Sequence, residues 1–89
     1  MNSFNIVIDP QAEKDLKKFK RANPKLLPRF INAIDSLIHN PYQGKPLKGD
    51  KKGCYSLREA DVYRIIYEVY PPQKTIHIIR VGHRREIYR

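Results

Sequence analysis

The sequence predicts an α+β fold in which two N-terminal helices pack on one face of a small antiparallel sheet, in the order β-α-α-β-β-β. Three observations predict it. A short run of alternating apolar residues comes first; two stretches follow in which apolar residues recur at helical spacing, each introduced by a polar residue and a proline. Three strand-like runs joined by turn formers then close the chain, and such a meander leaves one sheet face for the helices and the other for function.

Phe4, Ile6 and Ile8 alternate with Asn5 and Val7, a strand that stops at Asp9-Pro10. Asp9 suits the cap of a helix that begins at Pro10, because proline there forgoes only an N–H that has no helical partner. Ala12, Leu16 and Phe19 then share one face while Lys14, Lys17, Lys18 and Lys20 lie on others, and the helix should stop near Arg21-Ala22. Asn23-Pro24 repeats the signal. Leu27, Phe30, Ile31, Ile34, Leu37 and Ile38 make a broad apolar stripe that ends at His39-Asn40-Pro41. A start at Pro24 would place Pro28 where it costs a hydrogen bond, which makes Leu27 the alternative start.

Residues 40–53 combine turn formers with four lysines and show neither period, so they are expected to form an exposed basic loop. Cys54 to Glu59 reads as a strand, Ala60-Asp61 as a tight turn, Val62 to Tyr70 as a second strand, Pro71-Pro72-Gln73-Lys74 as a turn and Thr75 to Val81 as the last strand. Alternation puts Tyr63, Ile65, Tyr67 and Val69 on the core side and Arg64, Ile66 and Glu68 on the other. No repeat, low-complexity tract or linker divides residues 1–89, so one domain is expected.

Lys and Arg number 18 against 9 acidic residues, a net charge of +9 that favours a polyanionic partner: nucleic acid, an acidic protein or an anionic membrane. Residues 1–44 hold seven basic and four acidic side chains, residues 45–89 eleven and five, which places function in the second half. No run approaches the ~20 apolar residues of a membrane span and the N-terminus lacks a signal-peptide pattern, so a cytoplasmic protein that does not engage a membrane is expected. The single cysteine, Cys54, excludes an internal disulfide. His39 and His77 have no metal-ligand spacing, and a chain this short has little room for a deep small-molecule cavity; no metal, cofactor or small-molecule substrate is expected.

Arg64 and Arg80 interrupt strands that should hide hydrocarbon, and a cationic tail follows from His83. Charges desolvated in this way need a counterpart, and a phosphate is the leading candidate.

The chain resembles the RelE/ParE superfamily of small toxins from toxin–antitoxin pairs. The resemblance rests on the element order, on Pro46-Leu47-Lys48-Gly49-Asp50, on Gly53-Cys54-Tyr55-Ser56-Leu57-Arg58, on Tyr63-Arg64-Ile65-Ile66-Tyr67-Glu68-Val69 and on Val81-Gly82-His83-Arg84-Arg85-Glu86-Ile87-Tyr88. It implies helices packed on an antiparallel sheet and a cognate antitoxin partner. In the RelE branch it implies metal-independent cleavage of mRNA in the ribosomal A site, with the ribosome and mRNA as partners; in the ParE branch it implies poisoning of DNA gyrase without nuclease chemistry.

Metal-free RNA cleavage requires a proton taken from the ribose 2′-OH, a proton given to the leaving oxygen and cations on the crowded phosphoryl group. By resemblance, Arg64 and Arg84 contact the scissile phosphate, and Tyr88 stacks on a base or handles the 2′-OH proton. Arg58 matches the second of two basic residues on a family strand whose first position holds Ser56 here, so either Lys48, Lys51 and Lys52 supply the charge or the catalytic set is weaker than in the family. Histidine is the side-chain type suited to proton transfer at neutral pH, which makes His83 a candidate for that step. The catalytic candidates are therefore Arg58, Arg64, His83, Arg84 and Tyr88, with Lys48, Lys51, Lys52, Arg80 and Arg85 as RNA or ribosome contacts. Alternatives stand beside each: Arg64 as a surface residue paired with Glu68 or Asp61, Arg84 as a solvated tail charge, Tyr88 as a packing aromatic, and the whole chain as a plain basic RNA-binding module.

Overall fold

The computed structural model describes residues 4–49 and 53–87. Strand β1 (Asn5–Ile8) leads into helix α1 (Pro10–Ala22), a short 3-10 turn at Pro24–Leu26, and helix α2 (Leu27–Ser36). Strands β2 (Lys45–Pro46), β3 (Cys54–Glu59), β4 (Tyr63–Tyr70) and β5 (Thr75–His83) follow, and helix α3 (Arg84–Ile87) closes the described chain.

The five strands lie in the order β1-β5-β4-β3-β2. The predicted α+β class and helix placement hold, with one difference: β1 runs parallel to β5, from Asn5 opposite Thr75 to Ile8 opposite Ile78, while the other pairings are antiparallel. The two helices and three strands between β1 and β5 form a crossover long enough to bring parallel strands together, which a hairpin cannot do.

Local chemistry sets the helix bounds. Asp9 has the extended backbone of a cap and Pro10 takes the first position, yet the Asp9 carboxylate makes no capping bond. It meets His77 Nδ1 at 3.2 Å instead. Helix α2 starts at Leu27, where Pro28 falls in its first turn and loses nothing by lacking an N–H. Its apolar stripe buries Phe30, Ile34 and Leu37 against Ile65 and Tyr67 of β4 and Ile76, Ile78 and Val81 of β5, with Ala12 and Leu16 of α1 completing the core.

Three departures from simple alternation bear on the site. Ile66 pairs with Arg80 but Tyr67 pairs with Ile78, so Ile79 is an extra residue and β5 carries a bulge. The bulge resets the alternation, and Val81 and His83 join Ile76 and Ile78 on the helix side. Next, the basic loop is not wholly irregular, since Lys45 and Pro46 pair with Ser56 and Tyr55 as a two-residue edge strand. Lastly, the tail folds back: Ile66 and Ile87, 3% and 7% exposed, are buried on the sheet face away from the main core. Ile87 packs over Gly82, where even a Cβ would sit in ordinary contact with the Ile87 side chain at 3.5 Å.

The β3–β4 connection has φ of 49° at Ala60 and 67° at Asp61, the doubly left-handed turn that matches hairpin twist but strains any residue with a Cβ. Ala60→Gly is expected to raise unfolding free energy by about 1 kcal/mol in urea denaturation.

Tyr67 is fully buried, and its hydroxyl accepts the Gly44 N–H at 2.9 Å. Burial pushes the phenol above its ordinary 10.0, partly offset by the Gly44 hydrogen bond and reinforced by Tyr55. An acid whose pKa is raised by folding stabilises the fold fully below the unfolded value, and that stability is lost as pH rises towards the folded value. Stability should therefore fall from about pH 10 upward more steeply in the wild type than in Tyr67→Phe, a variant expected to cost about 1 kcal/mol at neutral pH by orphaning the Gly44 N–H. Urea denaturation of the two proteins across this range checks both expectations.

Candidate functional site

The sheet face opposite the two long helices carries the notable charge. Arg58 of β3 and Arg64 of β4 are direct cross-strand partners. Like charges placed opposite one another destabilise a sheet by repulsion, so the arrangement favours an anion between or above them. A cleft of about 630 Å³ opens beside them, lined by Gln43, Gly44, Lys45, Leu47, Ser56 and Leu57 together with both arginines. Among the described residues no lining side chain is acidic.

Backbone carbonyls, rather than a carboxylate, orient Arg64. Its Nη1 donates to Asp61 O at 2.8 Å and to Tyr63 O at 2.9 Å, which aims the guanidinium without cancelling its charge. The Glu68 carboxylate is engaged elsewhere, accepting the Tyr70 hydroxyl at 2.7 Å and raising that phenol's pKa. Arg58 Nη1 lies 3.8 Å from Asp61 Oδ1, a long contact between two well-exposed groups that screens little of the arginine's charge.

The C-terminal candidates divide between the two faces. Gly82 is the register partner of Arg64, and Ile87 packs over it, so α3 folds onto the arginine side. Arg84 is exposed and its N–H donates to Val62 O at 2.8 Å, which ties the start of α3 to the chain entering β4. His83 pairs with Tyr63, whose ring packs edge-on against Phe19 and Phe30 of the helices. The His83 and Tyr63 rings meet edge-on at 5.7 Å, and His83 Nδ1 accepts the Arg85 N–H at 3.1 Å. His83 therefore faces the helix side, across the sheet from Arg58 and Arg64.

Arg80 also departs from the expected cluster. Its Nε donates to Asp15 Oδ2 at 2.9 Å and its Nη2 reaches Oδ1 at 3.5 Å. Asp15, 8% exposed, also accepts the Val81 N–H at 2.9 Å and the Gln11 side-chain amide at 3.2 Å. Parallel pairing with β1 ends at Ile8 and Ile78, which leaves the next stretch of β5 without a strand on that side. The Asp15 carboxylate completes the edge there, and Arg80 balances its charge. Lys48 and Arg85 are exposed. Lys51, Lys52 and Tyr88 lie outside the described residues. Among the described residues no group of three or more His, Cys, Asp or Glu is placed to hold a metal ion, and no helix is long and apolar enough to cross a membrane.

The family model for the ParE toxin of type II toxin–antitoxin systems, parDE, matches residues 6–88. The chain belongs to this toxin family. Toxin RelG of Mycobacterium tuberculosis is 35% identical over 88 residues, covering 97% of each chain. Toxin RelE of the same organism is 29% identical over 87 residues, covering 97% of this chain and 87% of that protein. Among solved structures, the M. tuberculosis toxin–antitoxin complex RelBE2 superposes with a TM-score of 0.81 at 28% identity, covering 92% of this chain and 99% of that one. The YoeB–YefM complex from Staphylococcus aureus gives 0.76 at 27% identity, with 90% and 95% covered.

Two residues of this ParE-family toxin escaped the sequence reading. Asp15 sits among lysines on a helix and looks like a solvated charge; its burial arises only because β1 stops short of β5. Lys45 lies in a strand too short to show a period. The pair Gly44-Lys45 before Pro46 was the available signal, since proline is tolerated on an edge strand.

Proposed function

We propose that this toxin is a ribosome-dependent endoribonuclease that cuts mRNA in the A site and arrests translation, acting in the cytoplasm and neutralised by a cognate antitoxin. The observation that carries the reading is the Arg58–Arg64 pair, two cross-strand cations beside a cleft with no acid among its described lining residues. Such a site suits a phosphodiester whose charge grows in the transition state. The similarity to proteins named Toxin RelE and Toxin RelG supports the same branch, and the solved RelBE2 and YoeB–YefM complexes support an antitoxin partner.

In this mechanism the 2′-oxygen of the A-site ribose attacks the adjacent phosphorus in line. A 2′,3′-cyclic phosphate forms, the P–O5′ bond breaks and the 5′-oxygen leaves as a hydroxyl. Arg64 and Arg84 contact the phosphoryl oxygens, and Arg58 holds the same or a flanking phosphate. Lys48, Lys51, Lys52 and Arg85 contact RNA backbone. Tyr88 takes the 2′-OH proton, on the strength of its match to the family tyrosine, because the His83 ring is across the sheet, and the departing 5′-oxygen takes its proton from water. Arg80 is assigned to holding Asp15 and the bulged strand.

Poisoning of gyrase is the second reading, favoured by the ParE family match. Mapping RNA 5′ ends after brief expression separates the two. New ends at A-site codon positions, ahead of any change in plasmid supercoiling, are expected; loss of supercoiling with intact mRNA would establish the alternative.

A further inference from the structure

The cationic site lacks the residue that resemblance would place at Ser56, and the register of β2 shows a replacement. Lys45 is the direct cross-strand partner of Ser56. It therefore projects from the same face as Ser56 and, one alternation further along β3, Arg58. Lys45, Arg58 and Arg64 all line the one cleft.

The position of Lys45 is built rather than incidental. Gly44 donates its N–H to the buried Tyr67 hydroxyl at 2.9 Å, and beyond Pro46 the Leu47 N–H donates to Cys54 O at 2.9 Å. A Cβ on Gly44 would stand 2.7 Å from that hydroxyl and 3.0 Å from Ser56 O, so only glycine permits the approach. The two-residue strand is thus pinned on both sides of the lysine. Ser56, short and buried, lines the same cleft, and the diagonal from Lys45 to Arg58 is one that a long side chain spans.

We propose that Lys45 is a phosphate-binding residue of this site, forming with Arg58 and Arg64 a three-cation bay for an RNA backbone phosphate and supplying from β2 the charge that Ser56 leaves out of β3. The proposal rests on the ribonuclease reading for its activity arm only. Lys45 acts as a point charge on the phosphate, so arginine retains most of its effect and alanine does not. A lysine on an exposed strand edge also discourages edge pairing between molecules. That role would affect solubility and leave RNA binding untouched.

The test compares wild type, Lys45→Ala, Lys45→Arg and Lys25→Ala, the last removing one exposed charge from the turn before α2. Two quantities are read: cleavage of mRNA on programmed ribosomes, and the salt dependence of binding to a single-stranded RNA oligomer carrying 2′-deoxy sugars. Lys45→Ala is expected to lower kcat/KM at least about tenfold and to reduce the slope of log K against log salt by about 0.7, the loss of one phosphate contact. Lys45→Arg and Lys25→Ala should stay within a few-fold of wild type in cleavage, and Lys45→Arg should keep the slope. Wild-type cleavage and slope in Lys45→Ala would overturn the proposal, as would an equal loss in Lys25→Ala. Absence of cleavage by wild type would sink the ribonuclease reading instead, with the binding slope still deciding the role of Lys45.

Discussion

Arg64→Ala is expected to lower single-turnover cleavage of mRNA on the ribosome by about 10²–10³-fold, the loss typical of removing one preorganised donor from a site where charge develops. The Arg64 guanidinium is oriented by the carbonyls of Asp61 and Tyr63, so it reaches the cleft aimed and still charged. Arg64→Lys should recover only a small part of the rate. An ammonium keeps the charge but lacks the planar fork that can hold two carbonyls and a phosphate together. Both bonds lie near the surface, so thermal unfolding should be nearly unchanged, which separates a chemical role from a structural one. Wild-type cleavage by Arg64→Ala would remove the central residue of the site.

The largest stability effect is expected at Asp15. Asp15→Ala leaves the Arg80 guanidinium without its counter-charge and the Val81 N–H without an acceptor, inside the packing of α1 on β5. The carboxylate is buried while Arg80 stays about a third exposed, so the lost pair and the orphaned Val81 N–H together cost about 3 kcal/mol, and in a chain this short the midpoint of thermal unfolding should drop by more than ~10 °C. Joining Asp15→Leu to Arg80→Met should recover part of the loss, because no unpaired charge remains, although the Val81 N–H stays unsatisfied. A drop no larger for Asp15→Ala than for Glu13→Ala, at an exposed position on the same helix, would show that the carboxylate does not hold the strand edge.

The elements that follow from local pattern were legible in the sequence: the two proline-opened helices, the Ala60-Asp61 hairpin and the core alternation of Ile65 and Tyr67. What was not legible depends on how strands meet. The bulge at Ile79 leaves only the adjacent apolar pair Ile78-Ile79 as a trace, yet it puts His83 on the helix side and Arg80 opposite Ile66, from where the guanidinium reaches Asp15 past the edge that β1 leaves open. The parallel β1 edge and the Lys45–Ser56 pairing join residues far apart in the chain, for which a single sequence has no period to show. For the same reason Arg64 and Arg58 were both identified, but their direct opposition across β3 and β4 was not.

If the arginine face cleaves RNA as proposed, the reaction runs through the ribose 2′-hydroxyl. Purified toxin should be added to ribosomes programmed with an mRNA that carries either ribose or 2′-deoxyribose at the attacking A-site nucleotide, and the 5′ ends counted over time. A new end within the A-site codon of the ribose message is expected, and none in the deoxy message. Equal cutting of both messages would contradict the chemistry, and an intact ribose message while the same protein halts gyrase supercoiling would contradict the function.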